Sequence, residues 1–126
     1  VYTGELYAPE VEYANQPPFA LKLTYQRDLE GKKIAQRSID EMKKQGYLSA
    51  DDSDKWLSLM NSIFPDVSEG DVITGIATKD GTSVFYVNGE KADEIEDKAF
   101  TQRFFDIWLS DKTSEPKFRK KLLGNG

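Results

Sequence analysis

Six polar side chains lie on or beside apolar, strand-like segments, where they can reach into an apolar cleft. They are Tyr2, Tyr7, Tyr25, Arg27, Tyr86 and Asn88. A tyrosine hydroxyl both donates and accepts hydrogen bonds, so it can hold the polar end of a small ligand. The commoner situation is a core tyrosine whose hydroxyl merely reaches the rim of a cleft. We take Tyr2, Tyr25 and Tyr86 as the candidate ligand-binding residues.

The lack of His and Cys excludes several kinds of catalytic and metal site. Ser-His-Asp and Cys-His catalysis, HExxH metalloproteases and His-containing zinc sites all need residues that this sequence does not have. The acidic runs at Asp51–Asp54 and Asp93–Asp97 lack the spacing of a calcium loop, and helix capping and solvated charge explain them better. No glycine-rich phosphate motif occurs. We therefore predict no metal and no cofactor, and the sequence identifies no catalytic residue.

Length and charge limit the classes of partner. A sequence of 126 residues is expected to form one domain with its own core, placed here at residues 1–126. The net charge of −5 and the pI near 4.8 argue against general binding of nucleic acids or anionic membranes. No run of about 18 apolar residues is present, so no membrane span is predicted. The sequence leaves the oligomeric state open.

The sequence begins within a strand-like segment. Val1 is not a start Met, and residues 1–9 already read as the middle of a strand. We therefore expect a processed or partial chain whose preceding strand is missing. No signal peptide is visible in the sequence itself.

Alternating apolar residues predict the strands that must position the tyrosines. The strand-like stretches are Val1–Ala8, Phe19–Tyr25 and a β-meander over Val67–Asp93. A polar loop is predicted from Glu10 to Pro18. Asp80-Gly81 and Asn88-Gly89 predict tight turns within the meander.

Helical periodicity marks four further stretches. They are Leu29–Gln45 with Gly46 as C-cap, a helix capped by Ser49 or Ser53 and ended by Pro65, a helix from Ala99, and a short helix from Pro116 capped by Ser114 or Glu115. The third stretch is apolar around well over half of its circumference, so it must be covered on most sides. The resulting order is β-β-α-α-β-β-(β)-α-α, without βαβ alternation. It predicts an α+β fold, with a curved antiparallel sheet and helices packed on one face.

Several segments together resemble the chalcone isomerase-like family, in particular its bacterial branch. The resemblance is carried by VYTGELYAP, PFALKLTYQRDLEGKKI, W-x-x-x-M-x-x-x-F-P-D-V-x-x-G-D, SVFYVNGEK, FFDIWL and the T-S-x-P-x-x-R-x-x-L-L-G end. These segments cover nearly the whole sequence. The resemblance implies an open-faced β-sandwich, in which a ligand cleft lies between a large antiparallel sheet and a layer of helices.

Chalcone isomerases of this family catalyse an intramolecular cyclisation. The resemblance allows their catalytic residues to be compared with this sequence. Their threonine falls near Tyr2, their tyrosine and asparagine fall near Glu30 and Arg37, and the hydroxyl residue of the long helix falls near Ile107. None of these residues matches. The catalytic arginine would lie upstream of Val1. The isomerase residues are therefore absent wherever this sequence can test them, and enzymatic activity is left open.

A second branch, the fatty-acid-binding proteins of plant plastids, holds a carboxylate with an arginine and a tyrosine. The resemblance places Tyr2 where that tyrosine would be, with the arginine again upstream. The leading hypothesis is non-catalytic binding of a small apolar or amphipathic ligand such as a fatty acid.

Two alternatives to ligand binding remain. One is an intramolecular lyase or isomerase that acts on another substrate. The other is a ligand-free interaction domain of the cell envelope, whose cleft would be filled by side chains such as Phe85, Phe104 and Trp108. Bacterial relatives usually look exported, so the expected location is the periplasm.

Overall fold

The computed structural model describes residues 1–9 and 16–124, and within them it contains five strands and four helices. In chain order these are β1 (Tyr2–Tyr7), β2 (Phe19–Tyr25), α1 (Gly31–Gln45), α2 (Ala50–Ile63), β3 (Val72–Ala77), β4 (Ser83–Val87), β5 (Glu90–Ile95), α3 (Lys98–Leu109) and α4 (Pro116–Leu122). The predicted order of elements is confirmed. Most of the predicted polar loop from Glu10 to Pro18 lies outside the described residues. No helix within the described ranges is long and apolar enough to cross a membrane.

The five strands form one antiparallel sheet in which the spatial order follows the chain order, β1-β2-β3-β4-β5. Alternate residues of β2 point to one face, and these are the buried Phe19, Leu21, Leu23 and Tyr25. All four helices follow or connect strands without a parallel crossover. The sheet is not closed, and the predicted α+β architecture with helices on one face is confirmed.

Helix α3 packs between the sheet and the other helices, as its composition predicts. Seven of its twelve residues are buried. The rings of Phe64, Phe85, Phe104 and Trp108 form an aromatic cluster in which neighbouring centroids lie 5.1–6.1 Å apart. Most of these rings meet edge to face, which is a favoured geometry for aromatic pairs. The cluster packs α3 against β4 and the end of α2.

Gly46 is the C-cap of α1, as predicted. Gly46 follows the helix, but its backbone is extended, with φ at 165°, and does not form a left-handed cap. Instead, the guanidinium of Arg103 on α3 donates hydrogen bonds to the carbonyls of Met42 (2.9 Å), Gly46 (3.1 Å) and Tyr47 (2.9 Å). The planar fork of Arg suits such multiple contacts. Arg103 therefore ties α1 to α3 at one end of the helical layer.

Replacing Arg103 by Ala is expected to lower the free energy of unfolding by about 2 kcal/mol, because a charged donor to carbonyl groups is lost. Urea denaturation followed by circular dichroism measures this change. Gln102→Ala, at an exposed position of the same helix, is the control and should change stability by less than about 0.5 kcal/mol. If Arg103→Lys keeps the full stability, the benefit comes from positive charge at a helix C-terminus rather than from the three hydrogen bonds.

Helix starts and turns are close to their predicted positions. Ser49, not Ser53, caps α2, since its hydroxyl accepts a hydrogen bond of 3.1 Å from the Asp52 amide. Glu115 occupies the N-cap position of α4 but its side chain makes no capping bond. Asn88 and Gly89 both have positive φ, 51° and 86°, as a tight hairpin turn requires.

Candidate functional site

A cavity of about 570 Å³ opens between α1, α3 and the helix-facing side of the sheet. Its apolar wall consists of Leu23, Leu29, Ile34, Phe64, Ile73, Phe104, Ile107 and Trp108. Its polar groups are Tyr2, Tyr25, Arg37, Ser38, Asp40, Glu41, Lys44, Ser114 and Glu115. The volume lies in the range of roughly 300–1,000 Å³ that is usual for small-molecule sites. An apolar wall with a polar rim suits a ligand that is itself amphipathic.

Tyr2 and Tyr25 meet at this cavity because the β1–β2 register places them opposite each other. Their ring centroids lie 5.5 Å apart in an edge-to-face arrangement. The Tyr2 hydroxyl accepts a hydrogen bond of 2.9 Å from the indole N–H of Trp108 and donates one of 3.0 Å to a carboxylate oxygen of Glu115. Burial raises the pKa of Tyr2 far above its usual value, so the hydroxyl stays protonated at physiological pH.

Tyr25 presents the second hydroxyl of the cavity, and this one has no hydrogen-bond partner among residues 1–9 and 16–124. Its side chain is only 3% exposed, and its hydroxyl makes no hydrogen bond with any residue in the described part of the chain. Yet no fully buried polar side-chain atom there lacks a partner, so the Tyr25 hydroxyl must reach open space, which is the cavity. Burial raises the pKa of Tyr25 to about 12, while the nearby charge of Arg37 acts in the opposite direction. The hydroxyl is therefore protonated and available to a ligand.

Arg37 on α1 supplies a cation at the same end of the cavity. Within residues 1–9 and 16–124, its guanidinium makes no hydrogen bond and no ion pair. The other cation of the rim, Lys44, is paired with Glu41 at 2.8 Å, and Glu41 also accepts a hydrogen bond from Ser114. Arg37 is thus the rim cation whose donors are open to a ligand.

This position of Arg37 was not predicted from the sequence, because the anchoring cation was expected upstream of Val1. Ile34, Ser38 and Glu41 follow one another at helical spacings of four and three residues, and Arg37 lies beside them. All four line the cavity. That periodicity was the available signal, since it puts Arg37 at the edge of the buried face of α1.

The other predicted polar residues lie elsewhere. Tyr86 stands opposite Thr74 on β3 and Lys91 on β5, on the sheet face that points away from the helices, because its neighbour Phe85 points into the core. The structure does not bring Tyr86 to the cavity of Tyr2 and Tyr25, so any ligand contact of Tyr86 would be on a separate surface. Tyr7 is 52% exposed, Arg27 is exposed at the surface, and Asn88 accepts from the Val72 amide in the hairpin turn.

The side chains that a ligand-free domain was expected to place in the cleft do not fill the 570 Å³ cavity. Phe85 is completely buried in the core, and Phe104 and Trp108 form part of the cavity wall. No group of three Asp or Glu side chains in the described ranges is placed to hold a metal ion. The chemistry that the site offers is hydrogen bonding and charge pairing at one end of an apolar space.

Comparisons with known proteins agree with this fold. The sequence profile of the chalcone isomerase-like family matches residues 1–124. An uncharacterized protein of Haemophilus influenzae is 33% identical over 125 residues, which cover 98% of this chain. The chain spans 61% of the length of that relative.

A solved structure shares the architecture. The crystal structure of a fatty-acid binding protein of Arabidopsis thaliana superposes with a TM-score of 0.65 over 91% of this chain and 60% of that protein, at 13% identity. At that identity, the similarity concerns the fold. The match of the family profile over residues 1–124 establishes that the chain belongs to the chalcone isomerase-like family.

Proposed function

We propose that this protein binds a small apolar or amphipathic ligand, such as a fatty acid, without chemical conversion. The observation that carries the proposal is the 570 Å³ apolar cavity, at whose polar end the unpaired Tyr25 hydroxyl lies near the guanidinium of Arg37. A ligand-free interaction domain would have little reason to keep such a space, because an unfilled apolar cavity costs stability.

The apolar wall would supply most of the binding free energy. Each methylene group that leaves water contributes about 0.8 kcal/mol. An alkyl chain of moderate length therefore offsets the loss of translational and rotational freedom, which is on the order of 4–15 kcal/mol.

The polar end would orient the ligand. A carboxylate or hydroxyl head group next to Tyr25 would accept the hydrogen bond that this tyrosine has unused, and a carboxylate would also pair with Arg37. Hydrogen bonds to charged groups contribute roughly 1.5–3 kcal/mol. The fatty-acid binding protein of Arabidopsis thaliana has the same fold, which supports this ligand class without fixing the ligand.

Calorimetric titration with decanoic acid tests the proposal. We expect Arg37→Gln to weaken binding about tenfold and Tyr25→Phe to weaken it about threefold or more, because each variant removes one polar contact. Lys43→Gln removes a positive charge from an exposed position of the same helix and is the matched control. Its affinity should stay within about twofold of the original.

Native mass spectrometry of the mature protein, followed by organic extraction, searches for the natural ligand. A stoichiometric adduct with the mass of a fatty acid would support the proposal. No adduct, together with no mass shift after addition of decanoic acid, would contradict it. Addition of a chalcone and analysis for cyclised product examines the alternative of an intramolecular lyase in the same sample.

An exported, periplasmic location is part of the same proposal and rests on the resemblance to bacterial relatives. Fractionation of source cells, with detection of the protein in periplasmic and cytosolic extracts, measures it directly. Recovery with cytosolic markers would overturn this part and leave the ligand proposal untouched.

A further inference from the structure

The Tyr2 hydroxyl donates its only proton to the carboxylate of Glu115. The indole N–H of Trp108 donates to the Tyr2 oxygen at 2.9 Å, so the hydroxyl proton must point elsewhere. It points to the Glu115 carboxylate at 3.0 Å. A carboxylate of the protein therefore occupies the donor that the carboxylate of a ligand would use.

The Glu115 side chain has no other structural task in the described chain. Although it stands at the N-cap position of α4, it makes no capping hydrogen bond, and the residue is exposed and lines the cavity. Its backbone amide donates to the Thr113 hydroxyl at 3.1 Å, which fixes the loop independently of the side chain. The carboxylate can thus be changed without removing a helix cap.

We propose that Glu115 is a specificity-determining residue that disfavours carboxylate ligands relative to ligands with a neutral head group. The inference rests on the proposed function of the cavity. Glu115 opposes an acid in two ways, since it competes for the proton of Tyr2 and places a second negative charge near the head group. A neutral alcohol meets neither obstacle, because it can still bond the unpaired hydroxyl of Tyr25.

The charges around the cavity mouth give Glu115 this influence. Lys44 and Glu41 are paired with each other, so the charges left to act on a ligand are mainly Arg37 and Asp40 on α1 and Glu115 at the start of α4. Arg37 attracts an acid and Glu115 repels it. Removal of one negative charge that lines the same partly solvated site as a bound carboxylate should raise affinity about tenfold.

The test compares decanoic acid with decan-1-ol by calorimetric titration of the original protein, Glu115→Gln and Glu115→Ala. We expect both variants to bind decanoic acid about tenfold more tightly and decan-1-ol within about twofold of the original. Glu90→Gln removes an exposed acidic charge at the start of β5, from a residue that does not line the cavity, and is the control for net charge. It should change neither affinity.

Other outcomes separate the two proposals. If the acid binds the original and both variants equally, or binds the variants more weakly, the role of Glu115 is wrong while ligand binding stands. An equal gain for acid and alcohol would also overturn it, because Glu115 would then only restrict entry. If neither compound binds any of the proteins, the proposed function itself fails, and this inference fails with it.

Discussion

Replacing Ser38 by Trp is expected to abolish binding of decanoic acid while the protein remains folded. Ser38 lies on the buried face of α1 and lines the cavity, and its small side chain leaves the space open. An indole there would occupy the volume of several methylene groups of the ligand. Loss of about five buried methylenes at 0.8 kcal/mol each corresponds to roughly a thousandfold weaker binding. Calorimetric titration measures the loss, and circular dichroism checks the fold.

Two further variants make this result specific. Gln36→Trp adds the same indole on the exposed side of α1 and should bind decanoic acid like the original protein. Ser38→Leu fills less of the cavity and should give an intermediate loss. Full affinity in a folded Ser38→Trp protein would show that the ligand binds elsewhere. The first place to look would be the second cavity of about 450 Å³ beside Phe19, Phe105 and Leu109.

Local patterns were sufficient to predict the elements that carry the site. Strand β2 was predicted with its observed bounds, because alternation of Phe19, Leu21, Leu23 and Tyr25 depends only on the pleat. The buried face of α1 was likewise predictable, because it follows from helical spacing. The identity and order of secondary structure in this chain are therefore encoded in short segments.

The cavity was not predictable in the same way, because it depends on contacts between distant segments. Tyr2 faces Tyr25 through the β1–β2 register, and Trp108 reaches Tyr2 across 106 positions of sequence. The competing carboxylate of Glu115 comes from 113 positions away. No local period relates these residues. Their meeting follows only once α3 and α4 are packed on the sheet.

The predicted site differed from the observed cavity in two opposite ways: Tyr86 was included although it lies elsewhere, and Arg37 was left out although it lines the cavity. Alternation shows that a strand residue has a face, but it does not show which face the helices cover, so Tyr86 could be grouped with Tyr2 and Tyr25. Arg37 was overlooked because the anchoring cation was expected upstream of Val1. A charged residue beside a buried helical stripe can serve as the rim of a cavity without being buried itself.

The largest loss of stability is expected from Gly31→Ala. Gly31 begins α1 where this helix meets the end of α2, and its amide donates to Asp66 at 2.8 Å. A Cβ atom at this position would overlap the carbonyl oxygen of Phe64 and lie 2.9 Å from that of Pro65. Both are backbone atoms, which cannot rotate away. The start of α1 must therefore shift, at an expected cost of about 3 kcal/mol or more in the free energy of unfolding.

Gly46→Ala, at the other end of the same helix, is the matched control for this change. Its added Cβ would meet nothing within 4 Å, and its extended backbone suits any residue. We expect its free energy of unfolding to be unchanged or higher by about 0.4–1 kcal/mol, because the unfolded chain loses freedom. Urea denaturation measures the free energy of unfolding of both variants and of the original protein. Equal stability of the two would mean that α1 can move freely against α2, and the position of Arg37 and Ser38 at the cavity would then not be fixed by this contact.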